Sequence, residues 1–145
     1  MKILTLLFFT TLYLNAAYAD EALTIELIDK PAQKWKLQDV SVEGTAQGTQ
    51  VSGLLTAFHR FGLPSGHLDI VACTPSDDLI ALTTTDYTPP FLTHREMKQG
   101  GIRFSTTFNQ QLPTDTIIKV TFHRGQVRPQ SDPEICRQLT ADSSK

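Results

Sequence analysis

The chain has few cysteines, methionines and tryptophans and no clusters of charge of one sign. Its 145 residues include two cysteines, two methionines and one tryptophan, and its 13 basic and 15 acidic residues are scattered without runs. A nucleic-acid site or an attachment to an anionic membrane surface needs clustered basic residues, and the sequence has no such cluster. Internal repeats are also absent. We therefore expect neither a nucleic-acid-binding protein nor a repeat protein.

Motifs that define common catalytic centres are missing as well. The sequence contains no GxSxG, no glycine-rich phosphate loop and no HExxH. Ser65 lies close in sequence to His67 and Asp69, but the members of a catalytic triad converge from separate elements of a fold. The sequence therefore predicts a protein that acts by binding, without catalysis.

Long hydrophobic runs are absent beyond the N-terminus. The run from residue 3 to residue 14 is shorter than the roughly 20 residues that a membrane-spanning helix needs. It follows Lys2 and precedes the small-residue pattern AYA at positions 17–19, an order typical of a secretory signal peptide cleaved before Asp20. We predict that residues 1–19 are removed. The mature protein is then exported, in a bacterium to the periplasm or to the medium.

Both cysteines, Cys73 and Cys136, belong to the predicted mature chain and enter an oxidising compartment. A disulfide between them is the expected state there. No CxxC pair suggests a redox or metal site in its place. Closing a loop of this length stabilises a fold by about 4 kcal/mol on the chain-entropy model. The bond would tie a C-terminal tail, residues 129–145, to the rest of the protein, with the last few residues disordered.

Residues 20–128 predict a single all-β domain. Short stretches rich in β-forming residues alternate with turn signals, and a helical period is not evident before residue 132. This pattern is typical of an immunoglobulin-like β-sandwich of seven or eight strands, of the transthyretin or fibronectin-III kind. Asp132 and Pro133 could begin a short helical turn up to residue 139. The predicted strands are 22–28, 35–42, 50–59, 66–73, 79–85, 102–108 and 116–123, with 88–96 an edge strand or an irregular crossing.

The strands 50–59 and 66–73 are predicted to form a central antiparallel hairpin. Placing Phe58 opposite Leu68 puts apolar side chains on one face, which then turns to the core. The same register places His59 opposite His67 on the outer face.

A metal site is one hypothesis for that outer face. His59, His67 and Asp69 share it, and His123 joins them if the last strand lies beside the hairpin. Two or three imidazoles with a carboxylate suit Zn²⁺ or Cu²⁺. Surface histidines at strand ends are common, so the default expectation is that no cofactor is bound. The alternative is a periplasmic protein that handles copper or zinc.

A protein-binding surface is the preferred hypothesis. Phe61 and Leu63 lie at the predicted hairpin tip, and Tyr87, Phe91 and Arg95 lie in a second proline-containing stretch. Aromatic residues and arginine are enriched at interfaces, and proline reduces the entropy that a loop loses on binding. These features predict contact with another envelope or secreted protein. An inhibitor that inserts a stiff loop into an enzyme would use the same residues.

Overall fold

A computed structural model describes residues 23–28, 35–57, 66–87, 92–124 and 132–143. Within these ranges the chain is mainly β, as predicted. The predicted strands 66–73 and 102–108 coincide with two of the observed strands. In chain order the elements are β1 Thr24–Ile28, β2 Trp35–Thr45, β3 Gly48–Ala57, β4 Gly66–Cys73, β5 Leu79–Asp86, α1 His94–Lys98, β6 Ile102–Phe108, β7 Ile117–Arg124 and α2 Ile135–Ser143.

The strands form two sheets that enclose one apolar core. Sheet A has the order β1-β7-β4-β5, and sheet B has the order β2-β3-β6. Strand β1 pairs in parallel with β7, and the other pairings are antiparallel. Alternate residues of both sheets point inward, as the period of a strand requires. The buried core consists of Trp35, Leu37, Val51, Leu55, Leu68, Ile70, Ala72, Tyr87, Leu92, Ile102, Phe104, Phe108, Ile118 and Val120.

This strand order does not confirm the finer immunoglobulin-like assignment. In an immunoglobulin constant domain the third, sixth and seventh strands share one sheet. Here β3 and β6 pair in sheet B, whereas β7 lies in sheet A. The coarser description, a disulfide-bonded chain of two β-sheets, is what the structure establishes.

The predicted hairpin between strands 50–59 and 66–73 is wrong. Strand β3 lies at the centre of sheet B, and β4 lies between β7 and β5 in sheet A. Leu68 therefore faces Thr85 and Phe122 on its neighbouring strands. The two strands still direct Leu55 and Leu68 into the same core, but from opposite sheets.

Two of the observed strand pairs are hairpins with short connections. Strands β2 and β3 are joined by the two-residue turn Ala46-Gln47, and β4 and β5 by residues 74–78. Short connections lose less entropy on closing than the longer segment 58–65 would lose. Gly48 allows the first turn, because its φ is +129° and a Cβ there would lie 1.9 Å from the carbonyl oxygen of Phe108.

Helix α2 covers part of the outer face of sheet A. The predicted disulfide is confirmed: Cys73 in β4 bonds to Cys136 in α2 with a Cα–Cα distance of 6.1 Å. The predicted helical turn is also confirmed, since Asp132 Oδ1 accepts a hydrogen bond of 2.9 Å from the backbone N of Glu134. The helix continues to Ser143, beyond the predicted end at residue 139.

Helix α1 replaces the C-terminal part of the stretch predicted as an edge strand or an irregular crossing. Thr93 caps it: the Thr93 hydroxyl accepts from the backbone N of Glu96 at 3.3 Å, and Glu96 Oε2 accepts from the backbone N of Thr93 at 2.7 Å. This reciprocal capping box has the sequence signature T-x-x-E, which was the available signal for the helix. Residues 88–91 of the predicted strand lie outside the described residues.

The predicted signal peptide, residues 1–19, also lies outside the described residues and stays a prediction. Among the helices that the structure describes, none is long and apolar enough to cross a membrane.

Candidate functional site

Strand β7 lies directly beside β4 and brings His123 opposite His67. The neighbouring position, Gly66, faces Arg124 across the same pair of strands. A Cβ at Gly66 would lie 2.1 Å from the backbone oxygen of His123 and 2.6 Å from the ring of Phe122. Only glycine lets the two strands approach this closely at their end, so Gly66 helps to set the spacing of the two histidines.

Asp69 lies between the two imidazoles. Its Oδ1 is 3.1 Å from His67 Nε2, and its Oδ2 is 3.6 Å from His123 Nδ1. The two imidazole rings are stacked, with centroids 5.2 Å apart and planes inclined by 19°. Three of the four predicted metal-site residues therefore converge. The fourth, His59, lies outside the described residues.

The burial of this cluster differs from the expected surface site. The side chains of His67 and Asp69 are 2% and 4% exposed, whereas that of His123 is 49% exposed. Burial raises the pKa of the Asp69 carboxyl, because a charged group loses its hydration, while the nearby imidazoles of His67 and His123 act in the opposite direction. Sequence alternation placed these residues on the outer face correctly, but it did not reveal that this face is covered.

Among the residues that the structure describes, His67, Asp69 and His123 do not have the geometry of a metal centre. An imidazole nitrogen presents its lone pair in the plane of its ring, so two stacked rings do not direct both lone pairs at one point. Within the described ranges, no group of three or more His, Cys, Asp or Glu side chains is placed to hold a metal ion. The cluster instead links β4 to β7 through one carboxylate.

A second polar cluster lies on the same face, beneath α2. The Nζ of Lys119 donates to Asp77 Oδ1 at 2.6 Å, to the Cys136 carbonyl oxygen at 3.0 Å and to Thr140 Oγ1 at 2.5 Å. Lys119 is 1% exposed, and its hydrogen bond is the main cause of the lowered pKa of Asp77. The alternation of β7 assigned Lys119 to the outer face. Nothing in the sequence showed that a helix would bury it.

The predicted partner-binding residues have different positions. Phe61, Leu63 and Phe91 lie outside the described residues, so the proposed apolar loop tips stay a prediction. Tyr87 is 6% exposed, and its ring contacts the ring of Phe122 with centroids 5.8 Å apart. Burial raises the pKa of the Tyr87 hydroxyl to about 12. Tyr87 therefore contributes to the core, and Arg95 is exposed on α1.

Helix α1 presents a small cationic and apolar surface, which we call the α1 corner. It consists of the exposed residues His94, Arg95, Met97 and Lys98. Met97 is 47% exposed, and with Leu27 it is one of two exposed large apolar side chains in the described part of the chain. The carboxylate of Glu96, the only acidic residue of the helix, is engaged by the Thr93 backbone N and lies partly buried.

Comparisons with protein-family models, with curated proteins and with solved structures found no match to this chain.

Proposed function

We propose that the protein is an exported, non-catalytic binding or accessory module of the bacterial periplasm or cell envelope, and that its partner is another protein. The observation that carries this proposal is the α1 corner. Its framework would be an immunoglobulin-like sandwich in the broad sense, which is supported by the two β-sheets that the described residues form around an apolar core.

The chemistry of the α1 corner suits a protein interface. Methionine and arginine are enriched at interfaces, and both Met97 and Arg95 are exposed on α1. The capping box fixes the start of this helix, so little backbone entropy remains to be lost on binding.

The disulfide supports the proposed location. Structural disulfides persist in secreted and periplasmic proteins and are rare where thiols are kept reduced. Cys73 and Cys136 are both fully buried, and they join the outer face of sheet A to α2. The bond is thus part of the structural framework, as expected for an exported protein.

A cross-linking experiment in cells tests the partner hypothesis. A photoreactive residue replaces Met97 in one variant and Arg137 in a control variant, because Arg137 is exposed on α2, away from α1. We expect one defined cross-linked protein from position 97 and none from position 137, with Arg95→Glu reducing its yield. Identical cross-links from both positions, or none from position 97, would contradict the proposal.

Copper or zinc handling is the second candidate, favoured by the convergence of His67, Asp69 and His123. A bound ion would require His123 to turn out of its stack on His67. Calorimetric titration of the oxidised protein with Zn²⁺ and Cu²⁺ tests this candidate. Stoichiometric binding that is lost in His67→Ala with His123→Ala, and retained in His94→Ala, supports it. Millimolar or variant-independent binding removes it.

A further inference from the structure

The outer face of sheet B carries a cleft of about 400 Å³ that the proposed function does not use. Contributions come from all three strands of the sheet, so the cleft runs across the strands. Its lining residues are Asp39, Ser41, Ser52, Gly53, Leu54, Arg103, Phe104 and Ser105.

Two opposite charges lie on either side of this cleft. Asp39 belongs to β2 and Arg103 to β6, and β3 lies between them. Both side chains are exposed, and neither has an ion-pair or hydrogen-bond partner among the residues that the structure describes. Neighbouring strands are about 4.8 Å apart, so two spacings separate the backbones at these positions by roughly 10 Å. This distance keeps the two charges from neutralising each other directly.

A row of hydroxyl groups connects the two sides. Ser41, Ser52 and Ser105 are in register on the three strands. The hydroxyls of Ser41 and Ser52 share one hydrogen bond of 3.1 Å, so one of their two protons remains available. Ser105 Oγ accepts from Gln50 Nε2 at 2.9 Å and keeps its own proton. The row therefore offers hydrogen-bond donors to carbonyl or carboxylate oxygens.

One apolar side chain of the outer face, Leu54, lines the cleft, and an irregular strand shapes one of its walls. Leu54 is 9% exposed although it lies on the outer face, among polar neighbours. Strand β2 carries a bulge between Gln38 and Ser41, and within it Asp39 has a φ of +50°. A bulge re-aims the side chains next to it, and here it sets Asp39 against the cleft. A few convergent polar groups beside an apolar side chain can fix the orientation of a small ligand.

We infer that this cleft binds a short zwitterionic peptide of about three residues. Its amino group would meet the Asp39 carboxylate, and its carboxylate would meet the Arg103 guanidinium and the Ser105 hydroxyl. Its peptide carbonyls would accept from the hydroxyl row. An extended chain spans about 3.3–3.6 Å per residue, so three residues match the separation of roughly 10 Å between the two sides. A carboxylate held by arginine and a hydroxyl forms charge-assisted hydrogen bonds.

Titration of the oxidised full chain with triglycine, followed by NMR chemical shifts, tests this inference. We expect saturable binding with shifts at residues 39, 52, 103 and 105. N-acetyl-triglycine amide, which lacks both charges, should bind at least about ten-fold more weakly, since each charge-assisted contact is lost. Unsaturable shifts, or equal affinity for the charged and the blocked peptide, would overturn the inference and leave an ordinary solvated sheet face.

Three variants test whether Asp39 and Arg103 bind the charged ends of the peptide. Asp39→Asn keeps a residue that tolerates positive φ, and Arg103→Gln keeps hydrogen-bonding capacity, so both should fold normally. Each should weaken triglycine binding by about ten-fold. Lys36→Gln, on the same face of β2 but outside the cleft, should bind as the unmodified protein does. Equal binding by all three variants would contradict the site. The partner cross-link from position 97 does not depend on this result, so the two proposals fail separately.

Discussion

Lys119 and His67 each place a buried nitrogen beside a carboxylate on the outer face of sheet A. The two clusters differ in the groups that surround the carboxylate and in its exposure. Beneath α2, Lys119 reaches Asp77, which is 31% exposed, and donates two further hydrogen bonds. Two residues along β4 from the position paired with Lys119, Asp69 is 4% exposed and is contacted by two imidazoles. One cluster joins its carboxylate to a lysine, and the other joins it to two imidazoles.

The opposite pKa shifts of the two carboxyls express this difference. The hydrogen bond from Lys119 lowers the pKa of Asp77, whereas burial raises the pKa of Asp69. A partly solvated position beside a cation favours the charged form of a carboxyl group. Burial disfavours the charged form when nearby positive charge does not make up for the lost hydration. The Lys119 cluster thus holds α2 against sheet A at neutral pH. The charge of the Asp69 carboxyl depends more strongly on burial and on the neighbouring side chains.

The largest effect is expected from removing the disulfide beside the Lys119 cluster. The bond closes a loop with a sequence separation of 63 residues, so Cys73→Ala with Cys136→Ala should lower the free energy of unfolding by about 4 kcal/mol. Urea denaturation measures the loss. Reduction of the unmodified protein by dithiothreitol should give a similar decrease. A change below about 1 kcal/mol in both experiments would show that α2 docks without the bond.

Replacing Lys119 should have the next largest effect. Lys119→Met keeps the apolar stem but removes the ion pair with Asp77 and the hydrogen bonds to Cys136 and Thr140. We expect the free energy of unfolding to fall by about 3 kcal/mol. Lys36→Met, at an exposed position of β2, is the matched control and should change it by less than about 0.5 kcal/mol. Equal effects in the two variants would show that Lys119 does not hold α2 on the sheet.

In the cluster around Asp69, the two histidines should contribute differently to the free energy of unfolding. His67→Ala leaves the buried Asp69 carboxyl without its closer imidazole, at 3.1 Å, and should lower the free energy of unfolding by about 2 kcal/mol. His123 is half exposed and lies 3.6 Å from Asp69, so His123→Ala should lower it by about 0.5 kcal/mol. Urea denaturation at neutral pH provides both values. The reverse order would show that burial does not decide the contribution.

The smallest effects are expected in the pH dependence, with opposite signs for the two carboxyls. The folded-state pKa of Asp69 lies above its unfolded value of 3.8, so the folded state binds the proton more tightly. The unmodified protein should therefore lose stability relative to Asp69→Asn as pH rises above about 3.8. The pKa of Asp77 is lowered, so stability relative to Asp77→Asn should be present above about 3.8 and lost as pH falls through the folded-state pKa.

Both comparisons are measured by urea denaturation between about pH 3 and 5.5, below the range in which imidazoles usually titrate. Slopes of the same sign for the two variants would show that the two clusters do not hold their carboxyls in different ways.

Sequence pattern predicted a large part of this fold because strand alternation is a local property. The bounds of β4 and β6, the inward direction of Leu68 and the shared face of His67 and Asp69 all follow from the period of two residues. The disulfide followed from a count of two cysteines in a chain that is predicted to be exported. The helix α1 was available in the T-x-x-E signature but was not recognised.

Strand pairing was not available from the same pattern. Two arrangements bury the apolar face of β3 equally well. In one, β3 pairs with β4 in the same sheet; in the other, β3 and β4 lie in two sheets packed face to face. The loop lengths favour the second arrangement, but loop closure competes with packing across the whole domain.

Near neighbours and composition are enough to predict which residues share a strand face, which cysteines pair and that the chain is mainly β. The packing of the two sheets and α2 is needed for three further features. It places His123 against His67, buries Lys119 under α2, and sets Asp39 and Arg103 on either side of one cleft. Each of these contacts joins residues distant in sequence, and its geometry depends on the free energy of the whole packed fold.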